Sequence, residues 1–428
     1  MKKFIFIAIS LFAALTNAHA GGHVNEFTLA NGIKVLHKEI TDNPLVSAQL
    51  FLRAGSVNEK ETEAGLANFV QVLLMQGTKN RDSEKLSRDI EDIGASVSTD
   101  VDNDFCTLGI SVMDAKTDKA MELLADVAFN PAFPAEEIEK ERTNVLAGIR
   151  SRQDHLHNVA DDLFLKTFYG NHPYSWPDIG KKETVSGFMR ADLERWHKNN
   201  YTGNGTVLSI AGNITLEKAK KLAEMFFSSV PPGAKQDEAR PPAFPGHKQV
   251  NSKNSKFQQA YLMIGWPAPN NANKDFATLK VLNSLLGGRM SGRLFTELRE
   301  KLGLAYEVNS FYPSRKLSSR FVVYMGLDKK NIPVAEKRIM EIIADIKQTP
   351  VSDKELEETK NYIRGIYLLD HQTIGRKAWY TGFWEIMGAG YSYDDQYLEK
   401  LMSVSSQSIQ SAAAAYFTGD YIQVTVGQ

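Results

Sequence analysis

Polar and apolar residues alternate at every second position over residues 46–55, the pattern of a half-buried strand. From Ala64 the period lengthens to that of a helix. After a glycine turn, Leu86, Ile90 and Ile93 share one face of a second helix, capped at Ser83 and closed by Gly94. Strand-like residues resume at Ala95. The same order returns downstream, with a strand over residues 259–266, helices from Lys274 and Ser291, and a strand over residues 305–312. Strand, helices and strand met twice in one order predict a duplicated α+β unit. Asn31-Gly32 between two apolar runs predicts a hairpin, and residues 421–426 a closing strand. Ser352-Asp353-Lys354-Glu355 predicts a capping box at the head of a long helix. Prolines and charges without apolar periodicity over residues 231–246 predict a linker, leaving domains at 21–230 and 247–428.

Composition adds a destination and removes some partners. Lys2 and Lys3, an apolar run over residues 4–15 and Ala18-His19-Ala20 predict a signal peptide cleaved after Ala20, hence export to a periplasm. That run is about half of the ~20 residues a membrane-spanning helix needs, and no second run follows, so no stable membrane insertion is expected. Without Lys2 and Lys3 the 50 basic residues become 48 against 51 acidic ones, a charge of −3, and no basic run marks a nucleic-acid partner. The single cysteine, Cys106, lies in a strand-like segment and reads as a small buried hydrophobe; the chain can form no internal disulfide.

The helix from Ala64 reads Ala64-Gly65-Leu66-Ala67-Asn68-Phe69-Val70-Gln71-Val72-Leu73-Leu74-Met75-Gln76-Gly77-Thr78. Positions i, i+3 and i+4 of a helix share a face, and here they hold an amide, an amide and a valine at Asn68, Gln71 and Val72. The segment resembles the pitrilysin/insulinase family, the inverted zincins, whose helix reads Gly-Leu-Ala-His-x-x-Glu-His, then an apolar pair and Gly-Thr. The resemblance implies that the two zinc-binding histidines fall on Asn68 and Val72, and the water-activating glutamate on Gln71. The family's third ligand, a glutamate on a later helix, falls on Gly148 within Glu141-Arg142-Thr143-Asn144-Val145-Leu146-Ala147-Gly148-Ile149. Zinc requires Cys, His or carboxylate donors. The chain is therefore expected to hold no metal and no catalytic residue of its own.

The second half keeps more of the family pattern, in Leu285-Leu286-Gly287-Gly288-Arg289-Met290-Ser291-Gly292-Arg293-Leu294-Phe295 and Leu298-Arg299-Glu300-Lys301-Leu302-Gly303-Leu304-Ala305-Tyr306. An Arg and a Tyr at this separation lie across from the zinc in the family and hold the scissile peptide, which implies that role for Arg299 and Tyr306. Guanidinium and phenol are donors suited to a peptide carbonyl and to the oxyanion formed when water attacks. Arg299 is expected near the end of a helix terminated by Gly303, and Tyr306 at the start of the next strand. Gly287 and Gly288 fit neither a GxGxxG nor a Walker loop. The resemblance suggests a flexible glycine segment touching peptide, as in the non-catalytic subunit of the mitochondrial processing peptidase. Shorter pieces in the shared order are His172-Pro173-Tyr174, Pro177-x-x-Gly180, the region around Tyr201, and Ala211-Gly212-Asn213-Ile214.

The remaining histidines suggest no second metal site: His155 and His157 point to different faces of a helix, and His197 and His371 have no obvious partners. Trp379, Tyr380, Phe383 and Trp384 read as core packing. The resemblance implies two pitrilysin-like domains, each a mainly antiparallel sheet with helices on one face. It further implies a non-catalytic, substrate-binding subunit of a heterodimeric zinc endopeptidase. The partner subunit would carry the zinc, and a peptide would be the substrate. The alternative is a peptide-binding scaffold that keeps the fold without taking part in proteolysis.

Overall fold

A computed structural model describes residues 23–234, 239–253 and 257–427. The expected signal peptide and the middle of the expected linker lie outside the described residues.

Two sheets organise the chain. The first contains β1 (Val24–Thr28), β2 (Lys34–Glu39), β3 (Leu45–Leu52), β4 (Ser96–Val101), β5 (Cys106–Met113) and β6 (Thr206–Gly212), in the order β1-β2-β6-β3-β5-β4. The second contains β7 (Gln249–Lys253), β8 (Ala260–Ala268), β9 (Ala305–Phe311), β10 (Ser319–Leu327) and β11 (Ile422–Val426), in the order β7-β11-β8-β10-β9. With β1 set aside the two orders are the same. So are the directions: β2 with β6 and β7 with β11 are parallel, and every other pair is antiparallel. The expected duplication of a mainly antiparallel α+β unit is thus present strand by strand.

Alternation along β3 shows how the faces are used. Val46, Ala48, Leu50 and Leu52 enter the core of the first half with Leu66, Phe69, Val70 and Leu124. Ser47, Gln49 and Phe51 point to the other face, where helix Ile374–Ile386 of the second half lies. A Cβ at Gly382 of that helix would sit 2.3 Å from the Phe51 ring, so only glycine permits the approach. The exchange is reciprocal. Helix Leu156–Tyr169 of the first half packs Phe164 and Phe168 with Met263, Val322 and Val424 of the second sheet, and a Cβ at Gly265 would lie 2.3 Å from Phe164 Cζ. Both helices follow an 18-residue helix at the same place in their halves. The expected cover on one face holds within each half, and the second face of each sheet is covered too, by a helix of the other half. Two-sided burial is also why residues 46–52 are almost continuously buried although their sequence alternates.

Several local expectations hold with adjusted details. Asn31 and Gly32 turn β1 into β2, with Gly32 at φ +93° and the Asn31 amide donating to the Phe227 and Val230 carbonyls. The helix Ser83–Glu91 is capped by Asp82 rather than Ser83, through a 2.7 Å bond from Lys85 N–H. Ser352 caps Asp353–Asp370, but Glu355 does not complete the box because its carboxylate takes the Arg293 guanidinium at 2.7 and 2.8 Å. The helices expected from Lys274 and Ser291 run over Phe276–Leu286 and, as a wide π-helical turn, over Phe295–Lys301. Cys106 is buried with its thiol on the Ala54 carbonyl, and burial pushes its pKa well up. His197 bonds the Ala128 carbonyl, and His371 meets Asp394 and is stacked between Tyr367 and Tyr380, so both have the partners that sequence did not reveal. Among the described residues no helix is long and apolar enough to cross a membrane.

Candidate functional site

Helix Leu66–Leu73 begins at Gly65, whose left-handed φ of +93° lets its backbone meet Gly180. The first turn is satisfied by Glu59, whose carboxylate accepts from the N–H groups of Gly65 and Ala67 and from the Trp176 indole. Burial nevertheless dominates and raises the Glu59 pKa to about 8. Apolar residues Leu66, Phe69, Val70 and Leu73 turn inward, and Asn68 and Val72 are half-buried on the remaining face.

Gln71 is the informative member of this face. Its amide nitrogen donates to the Thr107 carbonyl at 2.6 Å and to Thr99 Oγ1 at 2.7 Å, while its oxygen accepts from the Tyr201 hydroxyl at 2.6 Å. A carbonyl can only accept, so the group facing Thr107 must be a donor, and a carboxylate cannot be one. The position is built for an amide that ties the helix to β4, β5 and Tyr201. It has neither the basicity nor the freedom to activate water.

The third position lacks a donor as well. Gly148 lies on helix Ala135–Arg152, and a Cβ there would be 2.9 Å from Ile179 Cδ1. Val72, Leu146, Ile149 and Ile179 all pack as half-buried side chains against the core of the first half. Asn68, Val72 and Gly148 offer no zinc donor, and among the described residues no cluster of three or more His, Cys, Asp or Glu side chains forms. The residues present do not fit a catalytic zinc.

Arg299 and Tyr306 stand on the second half. Arg299 is exposed within Phe295–Lys301, its guanidinium 4.8 Å from the Phe295 ring centre, and Tyr306 on β9 is 60% exposed. Between them Gly303 takes φ +61° and the chain closes on itself through Leu304 N–H to the Leu298 carbonyl. Both polar groups are open to a ligand. Gly287 and Gly288 are packed rather than projecting: Gly287 ends helix Phe276–Leu286 with its Cα against the Ser310 backbone, where a Cβ would lie 2.5 Å from nitrogen, and Gly288 abuts Ser284 and Asn283. That tight packing is the reason both are glycine.

Residues 34–180 match the family model described as insulinase (peptidase family M16), and residues 187–363 match the one described as the peptidase M16 inactive domain. This chain belongs to the insulinase peptidase family. Its M16 relatives include YmxG of Bacillus subtilis, described as an uncharacterized zinc protease, 27% identical over 401 residues that cover 93% of this chain and 97% of YmxG. An uncharacterized zinc protease of Rickettsia bellii is 26% identical over 408 residues, 94% of this chain and 97% of that one. The solved M16 inactive domain from Pseudomonas fluorescens superposes with a TM-score of 0.89 at 22% identity, covering 94% of this chain and 98% of that chain. A protease from Helicobacter pylori gives 0.88 at 20% identity, with 95% and 99% covered. These likenesses place the fold. Within the M16 family this is a peptidase-like, non-catalytic member whose metal positions are filled by other means.

Sequence reasoning missed the residues that hold this arrangement. Tyr201 meets Gln71 across 130 positions, a pairing that no local pattern announces. Glu59 left a signal, an acid just ahead of a predicted helix start. Between the halves, Arg315 bonds both Asp102 oxygens at 2.7 and 2.8 Å and Asp104 accepts from Lys316 N–H; within the first half, Asp104 also accepts from the Tyr174 hydroxyl, and Asp178 accepts from Ser56 and Asn103. Burial, helped by the Asp102 charge, lifts Asp178 to about 6. Lys280 lies against Phe276 and Tyr312 and donates to the Tyr312 carbonyl at 2.7 Å, and burial, helped by the Arg315 charge, lowers it to about 7.

Proposed function

We propose that this chain is the non-catalytic, substrate-binding subunit of a two-chain zinc endopeptidase, exported to the periplasm after cleavage behind Ala20. A second family member carries the zinc, and this chain places Arg299 and Tyr306 against the peptide. The observation that carries the reading is the asymmetry between halves: Gln71 is locked as an amide and Gly148 covered by Ile179, while Arg299 and Tyr306 remain exposed. The two phenol and guanidinium donors would hold the peptide carbonyl as water attacks from the partner's metal.

In the assembled complex, Arg299→Ala or Tyr306→Phe is expected to leave assembly intact and lower kcat by about 10²-fold, the scale of losing one oxyanion donor. Full turnover by both variants would remove the role, and the peptide-binding scaffold would take its place.

A further inference from the structure

Beside the third ligand position the surface opens into a cavity of about 540 Å³, walled by helices Ala135–Arg152 and Leu156–Tyr169 and by residues 175–183. Ile149 and Gly180, the sequence neighbours of Gly148 and Ile179, form part of its wall. Its lining carries five cations, Arg150, Arg152, Lys166, Lys181 and Lys182. Three acids oppose them, and two of these are already engaged: Asp162 by Arg152 at 2.7 Å and Glu61 by Lys181 at 3.4 Å. Only Glu183 is left against Arg150, Lys166 and Lys182, so the cavity has an excess of positive charge. Arg150, Lys166 and Lys182 are exposed, so their charges are open to a ligand in the cavity.

We propose that this cavity binds the carboxylate of an acidic peptide segment. Arg150, Lys166 and Lys182 donate to the carboxylate and balance its charge. Ile149 and Pro177 give the rest of the residue an apolar wall. Glu183 favours a singly charged carboxylate over a doubly charged phosphate, which it repels more strongly. The site needs no partner chain and stands independently of the two-chain reading.

The test is fluorescence anisotropy with the full chain and a labelled hexapeptide carrying two glutamates, beside a twin with glutamine in their place. Arg150 and Lys182 are exposed and have no acidic partner among the described residues, so the double variant R150E/K182E should melt like the wild type. It should weaken the glutamate peptide by about tenfold or more, the scale of a 1.4 kcal/mol loss. Lys166→Ala should weaken it by about threefold, the smaller effect of removing one exposed charge. The glutamine twin should bind poorly to all of them. Equal binding of the two peptides, or unchanged affinity in R150E/K182E, would overturn the proposal. Displacement of the peptide by phosphate but not by acetate would also overturn it, in favour of a site for free phosphate.

Discussion

Helix Ala135–Arg152 of the first half and helix Asp353–Asp370 of the second have the same length and the same place in their units. The fourteenth residue of the first is Gly148, covered by Ile179; the fourteenth of the second is Ile366, 50% exposed beside Tyr362 and Leu369. One fold therefore holds a bare glycine beneath a neighbour and an isoleucine open to solvent at equivalent points. The helix does not need any particular side chain there to pack. The missing acid at 148 consequently bears on chemistry and leaves stability alone, whereas Gln71, three positions past Asn68, is held by three hydrogen bonds and bears on both.

The largest effects should come from the exchanged helices, where the halves are most alike. Phe51→Ala and Phe164→Ala each empty a fully buried ring site facing a glycine and should lower stability by about 3–5 kcal/mol in urea unfolding. A large loss for one and a negligible loss for the other would break the equivalence of the two exchanges. Gln71→Glu should follow, costing about 2–3 kcal/mol because it sets a buried acceptor against the Thr107 carbonyl, while the Tyr201 hydroxyl still donates to the side chain. Stability equal to the wild type would show that the position is not committed to an amide.

The buried carboxyls of the first half respond to pH. Asp178 holds its proton more tightly in the folded chain than in the unfolded one, with a pKa of about 6 against an ordinary 3.8. Its contribution is complete below the ordinary carboxylate value and is lost as pH rises from there through about 6. Glu59, at about 8, continues the loss to higher pH. Burial lowers His197 to about 4 and Lys280 to about 7, and both add stability as pH rises, so the Asp178 contribution is read by comparison with a variant. Between about pH 4 and 6 the melting temperature of Asp178→Asn should rise relative to that of the wild type, since the amide keeps an oxygen for Ser56 and Asn103 and has no proton to lose. An unchanged difference would show that Asp178 does not contribute. The smallest effects belong to the compared helices themselves: Gly148→Ala and Ile366→Ala should each stay within about 0.5 kcal/mol of the wild type. At 148 the Ile179 methyl can shift, and alanine favours the helix.

Much of this arrangement was legible in the chain because it is local. The strand and helix periods gave the duplicated unit, the Gly-Leu-Ala frame at residues 65–67 brought Asn68, Gln71 and Val72 into register, and the stretch from Glu141 to Ile149 did the same for Gly148. What periodicity could not supply is which half covers which sheet: Phe51 against Gly382 and Phe164 against Gly265 are contacts between distant segments, visible in sequence only as unexplained glycines. The amide role of Gln71 was hidden for the same reason, because Thr99, Thr107 and Tyr201 come from three separate elements. The packed state of Gly287 was hidden because Ser310 approaches it from β9.

The measurement closest to the central claim is a pull-down of the tagged chain from the periplasm of its source organism, with zinc analysis and identification of whatever co-purifies in stoichiometric amount. The account predicts a similar-sized family member that carries His-x-x-Glu-His and one zinc, with peptidase activity in the recovered complex. Recovery of the chain alone, or with unrelated proteins and no peptidase activity, would contradict it.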